Sequence, residues 1–195
     1  MIHKNNKCVF VHITKTAGSS ISKALGANDN GNPHRNIFDY RRMMSDKDFN
    51  EYFKFAVVRN PWERMVSEWH YQQQRKDGKH INMGFGQYLR HGHINQVGNQ
   101  LDWIAGPRWQ WHNGKRMYMH KSDDVNLLVD KVIRFENLEE GIAEVAEELG
   151  ITIDLPKLNT SKHSAYQEHY NDTTEALVAR MHERDINYFN YTFDD

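Results

Sequence analysis

The sequence predicts an α/β fold in which helices cover both faces of a central, mainly parallel sheet, giving three α/β/α layers. Two compact β-rich runs, KCVFVHI at residues 7–13 and FKFAVVR at residues 53–59, are each followed by helix signals. A third run, VIRF at residues 132–135, precedes the amphipathic segment LEEGIAEVAEELG. Strands that alternate with helices form βαβ units, and such units build parallel sheets with helices on both faces.

The first three predicted helices follow from capping and stop signals. ISKALG at residues 21–26 is expected to form a helix that ends at Gly26, because glycine favours the position after a helix. After a loop at residues 27–35, Asn36 and Asp39 have the spacing of a capping box. In NPWERMVSEWHYQQQ, Asn60 is expected to cap the helix and Pro61 suits its first position.

Two further helices are predicted towards the end of the chain. The apolar stripe of LEEGIAEVAEELG indicates a helix that ends at Gly150. Asp172 and Glu175 resemble a capping box that opens the final helix. Residues 72–115 are irregular and rich in Gln, His, Gly and Trp, and the sequence assigns them no element.

Length and composition indicate one soluble domain over residues 1–195. Hydrophobic residues make up 38% and charged residues 26%, which is typical of a globular chain. The net charge of -1 argues against non-specific nucleic-acid binding. No apolar run approaches the roughly 20 residues that span a bilayer. The single cysteine, Cys8, cannot form an internal disulfide, and we expect a buried thiol in a cytoplasmic protein.

The segment after the first strand, TKTAGSS, gathers groups that bind anions. Lys15 supplies a positive charge, Gly18 allows the backbone to turn closely around a ligand, and hydroxyls follow from Thr16, Ser19 and Ser20. The alternative is a polar turn with an N-capping serine. The segment also departs from the Walker pattern, in which the lysine follows the second glycine, because Lys15 precedes Gly18.

A second candidate anion site follows the second strand. Arg59 stands at the strand end and Ser67 lies two turns into the next helix, so a guanidinium and a hydroxyl are available for one anion. The alternative is a surface arginine with a solvent-facing serine. Two such sites at neighbouring strand ends suit a ligand with phosphate groups at both ends.

KTAGSS after the first strand and VVRNPWERMVS after the second resemble the PAPS-dependent sulfotransferases. The sequence is most similar to the carbohydrate-type branch, which is related to heparan sulfate 2-O- and chondroitin sulfotransferases. The resemblance extends to HRNIFDYRR, VIRFENLEE, LPKLNTSKH and RDINYFNYTF, and so covers most of the chain. It implies a P-loop-like fold and PAPS, 3′-phosphoadenosine 5′-phosphosulfate, as co-substrate.

The resemblance also assigns the donor-binding residues. It implies that the 5′-phosphosulfate is bound by Lys15, Thr16, Ala17, Gly18, Ser19 and Ser20. Arg59 and Ser67 would bind the 3′-phosphate, and Ser161 and Lys162 would close over the nucleotide. Thr14 replaces the proline that is usual before the lysine, and Ser19 replaces a common threonine; both changes keep the donor groups of the loop.

His34 matches the histidine that the family places in the loop before the second helix, and it is predicted to be the general base. The position just before a helix N-terminus disfavours imidazolium, and a neutral imidazole is the form that a base needs. Lys15 would stabilise charge on the oxygen that leaves with PAP. The family implies no metal, and His91 and His93 lack a companion ligand at familiar spacing.

The acceptor is expected to be a hydroxyl compound, with a glycan favoured. Trp103, Trp109 and Trp111 could stack on sugar rings, although ordinary core packing is the more frequent role of tryptophan. Glycan-modifying members of the family usually have an N-terminal membrane anchor, which this sequence lacks. Two rival hypotheses remain: an ATP-dependent P-loop-like phosphotransferase, and a nucleotide-binding module without catalysis.

Overall fold

A computed structural model describes residues 1–26, 34–75, 82–90, 97–105, 109–112, 115–118, 125–155 and 165–195, with the main chain alone for 109–112 and 115–118. Its strands are β1 (Ile2–His3), β2 (Cys8–Val11), β3 (Phe53–Val58), β4 (Trp109–His112), β5 (Lys115–Tyr118) and β6 (Lys131–Arg134). Its helices are α1 (Gly18–Ala24), α2 (Ile37–Met43), α3 (Asp46–Glu51), α4 (Pro61–Gln73), α5 (Phe85–Arg90), α6 (Leu101–Ile104), α7 (Leu138–Leu149), α8 (Asp172–Met181) and α9 (Glu183–Phe189).

Four of the described strands form one sheet in the order β1-β2-β3-β6. β1 pairs antiparallel with β2, whereas β2 with β3 and β3 with β6 are parallel. Strands β4 and β5 form a separate antiparallel pair. The predicted α/β class and mainly parallel sheet are confirmed, and all three predicted strands exist within a residue or two of their expected bounds.

The central strands are buried on both faces, which explains why they read as continuous apolar runs. All four residues of β2 are fully buried. On one face, Phe10 and Phe55 pack in a core with Ile21 of α1 and Ile142 of α7. The thiol of Cys8 belongs to the same core, where burial raises its pKa to about 11, so it remains a neutral thiol at neutral pH.

A charged pair joins β3 and β6 at their amino ends. The ammonium of Lys54 lies 3.0 Å from the carboxylate of Asp130, and the Lys54 amide donates to the same carboxylate over 2.7 Å. The Asp130 amide in turn donates to the Lys54 carbonyl over 2.7 Å. The main chains of the two strands are thus fixed to each other where the strands begin.

Most of the predicted helix ends are confirmed. The Asn36–Asp39 capping box, the Asn60 cap and the left-handed Gly150 are all present. The predicted cap of the final helix was wrong by one residue: the helix is capped by Asn171, which exchanges hydrogen bonds with Thr174. Asp172 is the first helical residue, whereas a cap must lie outside the helix with an extended backbone.

The described residues group into two compact units. Unit 1 comprises Met1–Val58 and Gln100–Leu158, and unit 2 comprises Arg59–Asn99 and Asn159–Asp195. A single domain over the whole chain therefore stays a prediction. Among the helices described, none has the length and apolar character needed to span a membrane.

Candidate functional site

The loop at residues 14–20 leaves β2 through an unusual backbone conformation in unit 1. Lys15 and Ala17, neither of them glycine, have φ angles of 66° and 61°. Left-handed residues of this kind cost energy and concentrate at ligand sites, where they direct successive N–H groups to one side. Ala17 caps α1 without a side-chain hydrogen bond, so the first amides of the helix gain no acceptor from the cap. The main chain and Lys15 therefore suit an anion.

The hydroxyl of Thr16 closes this loop from inside. Thr16 is fully buried, and its Oγ1 donates to the carbonyl of Ile13 over 3.0 Å. Ser19 is exposed and Ser20 is half-buried, so both hydroxyls are nearer to solvent. Thr16 thus has a structural part in the loop, and its predicted contact with a donor stays a prediction.

Gly18 is needed for a reason that the sequence did not indicate. The tight left-handed turns fall on Lys15 and Ala17, whereas Gly18 is already the first residue of α1. A Cβ on Gly18 would lie 1.8 Å from Cδ2 and 2.0 Å from Nε2 of His12. No side chain fits at that distance, so the glycine lets the helix start directly against the His12 ring.

His12 is a site residue that the sequence analysis missed. Its side chain is 4% exposed, and burial, with smaller contributions from the neighbouring His34 and the N-terminus, lowers its pKa to about 3. The ring is therefore neutral at neutral pH. A histidine two residues after Phe10 lies on the same face of an extended chain, and that spacing was the signal available in the sequence.

His34 lies beside this buried ring, at the surface of unit 1. Its Nδ1 donates to the backbone carbonyl of His12 over 3.2 Å, and the two imidazole rings are 4.5 Å apart between centroids. Because a carbonyl can only accept, Nδ1 carries a proton, and Nε2 is the basic nitrogen of the neutral ring. The rings of Trp103 and His34 form a T-shaped pair, with 6.2 Å between their centroids.

In unit 2, Arg59 is held by a forked ion pair. Its Nε donates to Glu63 over 3.0 Å, and its Nη2 lies 2.8 Å from the other carboxylate oxygen. The Arg59 side chain is 13% exposed. Ser67 is half-buried one turn beyond Glu63 on the same helix. The guanidinium predicted to bind phosphate is thus oriented by a carboxylate four residues away.

The start of α4 is fixed by Asn60, which is fully buried. Its Oδ1 accepts from the amide of Trp62 over 3.0 Å. Its Nδ2 donates to the carbonyl of Thr192 over 2.8 Å and to the hydroxyl of Tyr166 over 3.3 Å. The residue that caps the helix therefore also ties it to two later segments of unit 2.

A buried ion pair lies one turn further along α4. The side chains of Arg64 and Asp185 are 1% and 0% exposed and lie 3.8 Å apart, and Arg64 donates to the carbonyl of Gly98 over 3.0 Å. Burial lowers the pKa of Arg64 to about 10, with Asp185 and Glu68 opposing the shift, so the guanidinium stays charged at neutral pH. The burial of this charged residue was not predicted from the sequence.

Several predicted residues lie outside the described parts of the chain: Ser161, Lys162, His91 and His93. For Trp109 and Trp111 the main chain alone is described. Within the described ranges, no group of three or more His, Cys, Asp or Glu side chains could hold a metal ion. The absence of a metal in the reaction stays a prediction.

Comparison with known proteins identifies a family for this chain. The sequence profile of the sulfotransferase family matches residues 1–192. A protein of Archaeoglobus fulgidus, described only as uncharacterised, is 28% identical over 129 residues, which are 66% of this chain and 93% of the relative. No solved structure matches the chain. The match over almost the full length places the chain in the sulfotransferase family, an α/β family of P-loop-like enzymes that transfer sulfuryl groups.

Proposed function

We propose that this protein transfers a sulfuryl group from PAPS to an acceptor hydroxyl by in-line displacement and releases PAP. Family membership supports sulfuryl transfer in general, and the donor, base and acceptor are the specific parts of the proposal. PAPS supplies an activated sulfuryl group. What the chain must add is charge stabilisation, positioning and a place for the acceptor proton.

The observation that carries the proposal is the hydrogen bond of His34. Its Nδ1 donates to the His12 carbonyl, so the proton of the neutral ring is on Nδ1 and Nε2 is the basic atom. In the proposed step the acceptor oxygen forms a bond to sulfur, the bond from sulfur to the leaving oxygen of PAP breaks, and Nε2 of His34 takes the acceptor proton. Lys15 stabilises the negative charge that develops on the leaving oxygen.

The 14–20 loop is proposed to bind the 5′-phosphosulfate. The loop suits an anion for three reasons. Lys15 and Ala17 have left-handed backbones, the start of α1 has no side-chain cap, and Lys15 carries a positive charge. Gly18, Ser19 and Ser20 contribute the first amides of α1 and two hydroxyls. Thr16 adds its amide, because its hydroxyl already closes the turn.

Arg59 and Ser67 are proposed to bind the 3′-phosphate of the same donor. The forked pair with Glu63 uses Nε and Nη2 of Arg59 and holds the guanidinium plane in one orientation. A guanidinium that is already oriented loses less side-chain entropy when an anion binds. Ser161 and Lys162 are proposed to close over the nucleotide, on the strength of the family resemblance.

A glycan of the kind that the carbohydrate-type branch modifies is the proposed acceptor. Trp103 is half-buried and forms a T-shaped pair with His34, so an aromatic side chain lies beside the proposed base. Aromatic rings stack on the apolar faces of sugars, which would bring a sugar hydroxyl near Nε2.

The test is transfer of radiolabelled sulfate from PAPS into desulfated heparan sulfate, chondroitin and 4-nitrophenol. We expect labelling of a glycan, and His34→Ala should lower kcat by about 10²–10⁴-fold, the usual contribution of a general base. PAP should still bind that variant, as measured by the ligand-induced shift of the melting temperature. Near-normal turnover by His34→Ala would remove His34 from the role.

The same thermal measurement separates the rival donor. PAP should raise the melting temperature more than ATP with Mg²⁺ at equal concentration, because the Arg59 site is proposed to recognise a 3′-phosphate. A larger shift with ATP would favour a phosphotransferase. PAP binding with no transfer to any acceptor would favour a module without catalysis.

A further inference from the structure

We propose that His12 is a positioning residue, whose ring sets the place of the His34 imidazole relative to the 14–20 loop. The inference rests on the proposed function, in which His34 is the base and the loop binds the donor. Its basis is that His12 contacts both Gly18 of the loop and the ring of His34. The proposed base and the loop are therefore both in contact with the same buried ring.

On the loop side, the His12 ring packs against the backbone of Gly18. Cδ2 and Nε2 occupy the space where a side chain on Gly18 would begin, at 1.8 and 2.0 Å from the ideal Cβ position. Real Cβ atoms are not found this close to another heavy atom. The ring thus packs directly on the backbone of the first residue of α1, which is itself part of the loop.

The contact on the base side has two parts. The carbonyl of His12 accepts the Nδ1 proton of His34 over 3.2 Å, and the His34 ring is tilted by 55° against the His12 ring at 4.5 Å. The hydrogen bond sets the tautomer, whereas the ring contact sets where Nε2 points. Both are needed for a base that must meet an acceptor hydroxyl within hydrogen-bond reach.

The His12 ring is in turn supported by the core. It stacks on Phe10 at 5.8 Å and 16°, and Phe10 stacks on Phe55 of the neighbouring strand at 5.0 Å. Phe10 and Phe55 are fully buried, whereas His34 is exposed. A row of rings therefore runs from the core through His12 to the surface, and the His34 ring rests against a side chain that the core supports.

His12 does not itself exchange protons in this proposal. It is 4% exposed, and no described residue offers its buried Nδ1 a hydrogen bond. A buried polar atom without a partner is unfavourable compared with an apolar ring of similar shape. If packing is the function of the ring, a phenyl group should replace it better than a methyl group does.

The test is a double-mutant cycle on sulfate transfer from PAPS, with His12→Ala, His12→Phe, His34→Ala and His12→Ala combined with His34→Ala. His12→Ala should lower kcat by about tenfold or more, since a misplacement of about 1 Å can cost up to 10²-fold. His12→Phe should retain more of kcat. In the His34→Ala background, His12→Ala should leave kcat unchanged, because no base remains to be positioned.

The KM for PAPS should respond to His12→Ala differently from kcat. The contact with Gly18 exists in both backgrounds, so His12→Ala should raise this KM by the same factor with or without His34. Val145→Ala, which opens a cavity in the core beside α7, is the matched control. It should leave kcat unchanged at temperatures below the melting temperature of that variant. An equal fall of kcat in both backgrounds would overturn the inference and leave His34 as the base. If His34→Ala alone did not lower kcat, the proposed function would be overturned instead.

A readout besides activity is the ¹⁵N chemical shift of the His34 imidazole in the PAP complex. The shifts should report one Nδ1-protonated tautomer in the unsubstituted protein and in His12→Phe. In His12→Ala they should move towards a mixture of tautomers, because the His34 ring, no longer held against the His12 ring, turns away from the His12 carbonyl that accepts its Nδ1 proton. Identical His34 shifts in all three proteins would also overturn the inference.

Discussion

The segment after β2 and the segment after β3 are both proposed to bind phosphate groups of one donor, yet the chain builds them by different means. The 14–20 loop relies on backbone conformation, with left-handed Lys15 and Ala17 and no side-chain cap on α1. The start of α4 relies on side chains, with the Asn60 cap and the Arg59–Glu63 fork.

This difference indicates which substitutions each segment tolerates. Where the main chain itself offers the binding groups, the residues that hold its path matter more than the residues that face the ligand. Where side chains offer the binding groups, their charged partners decide how the site is oriented. Three substitutions, taken from the largest expected effect to the smallest, test this contrast.

The largest effect is expected for Arg64→Met in the α4 region. The change leaves the carboxylate of Asp185 buried without its partner, and breaking a buried pair in this way costs about 3–5 kcal/mol. Chemical denaturation would measure the loss of unfolding free energy.

Arg42→Met is the matched control, because Arg42 and Asp39 form an exposed pair with side chains 68% and 35% accessible. Such pairs contribute less than about 1 kcal/mol. Adding Asp185→Leu to Arg64→Met should recover part of the lost stability. Equal costs for Arg64→Met and Arg42→Met would show that the buried pair does not fix α4.

An intermediate effect is expected for Gly18→Ala in the loop region. The added Cβ would overlap the His12 ring, so the loop must shift, at a cost of about 1–3 kcal/mol for overpacking. PAP binding should weaken by about tenfold or more, which corresponds to about 1.4 kcal/mol. Calorimetric titration would measure the affinity.

Gly84→Ala provides the comparison, since a Cβ at that glycine meets nothing within 4 Å. It should change neither stability nor PAP affinity appreciably. Unchanged PAP binding by Gly18→Ala would mean that the backbone path of the loop does not determine donor binding.

The smallest effect is expected for Glu63→Gln. The amide keeps a hydrogen bond to Arg59 but removes a negative charge near the proposed 3′-phosphate, so PAP should bind about threefold more tightly at low salt. Adenosine 5′-phosphosulfate, which lacks the 3′-phosphate, should bind as before. Weaker PAP binding would instead show that the full Glu63 charge is required to orient Arg59.

Much of the fold could be predicted from local signals. The strands β2, β3 and β6 are dense apolar runs. Asn36 and Asn60 cap through their side chains and Gly150 ends α7 through its left-handed backbone, each within its own segment, so these roles could be predicted from local sequence. The start of α1 at Gly18 was missed because it depends on the distance to His12, which no local pattern contains.

The sequence indicated the candidate residues that carry charge or basicity, but it did not indicate the buried residues that hold them in place. Lys15, His34 and Arg59 carry chemistry that the sequence displays directly. His12 and Arg64 act through burial and through partners far along the chain: His12 with His34 and Arg64 with Asp185. The spacing from Phe10 places His12 on one face of the strand, but contacts of that sequence separation depend on tertiary packing, which no local pattern contains.

The pairing of Lys54 with Asp130 at the amino ends of β3 and β6 has a consequence at the other end of the same strands. Because a parallel ladder carries its alignment from one end to the other, the bonds at Lys54 also determine which residues stand opposite each other where the chain leaves the sheet, at Val58 and Arg134. The point from which the chain departs towards Arg59 is therefore set at the opposite end of the same strands, by the pairing of Lys54 with Asp130.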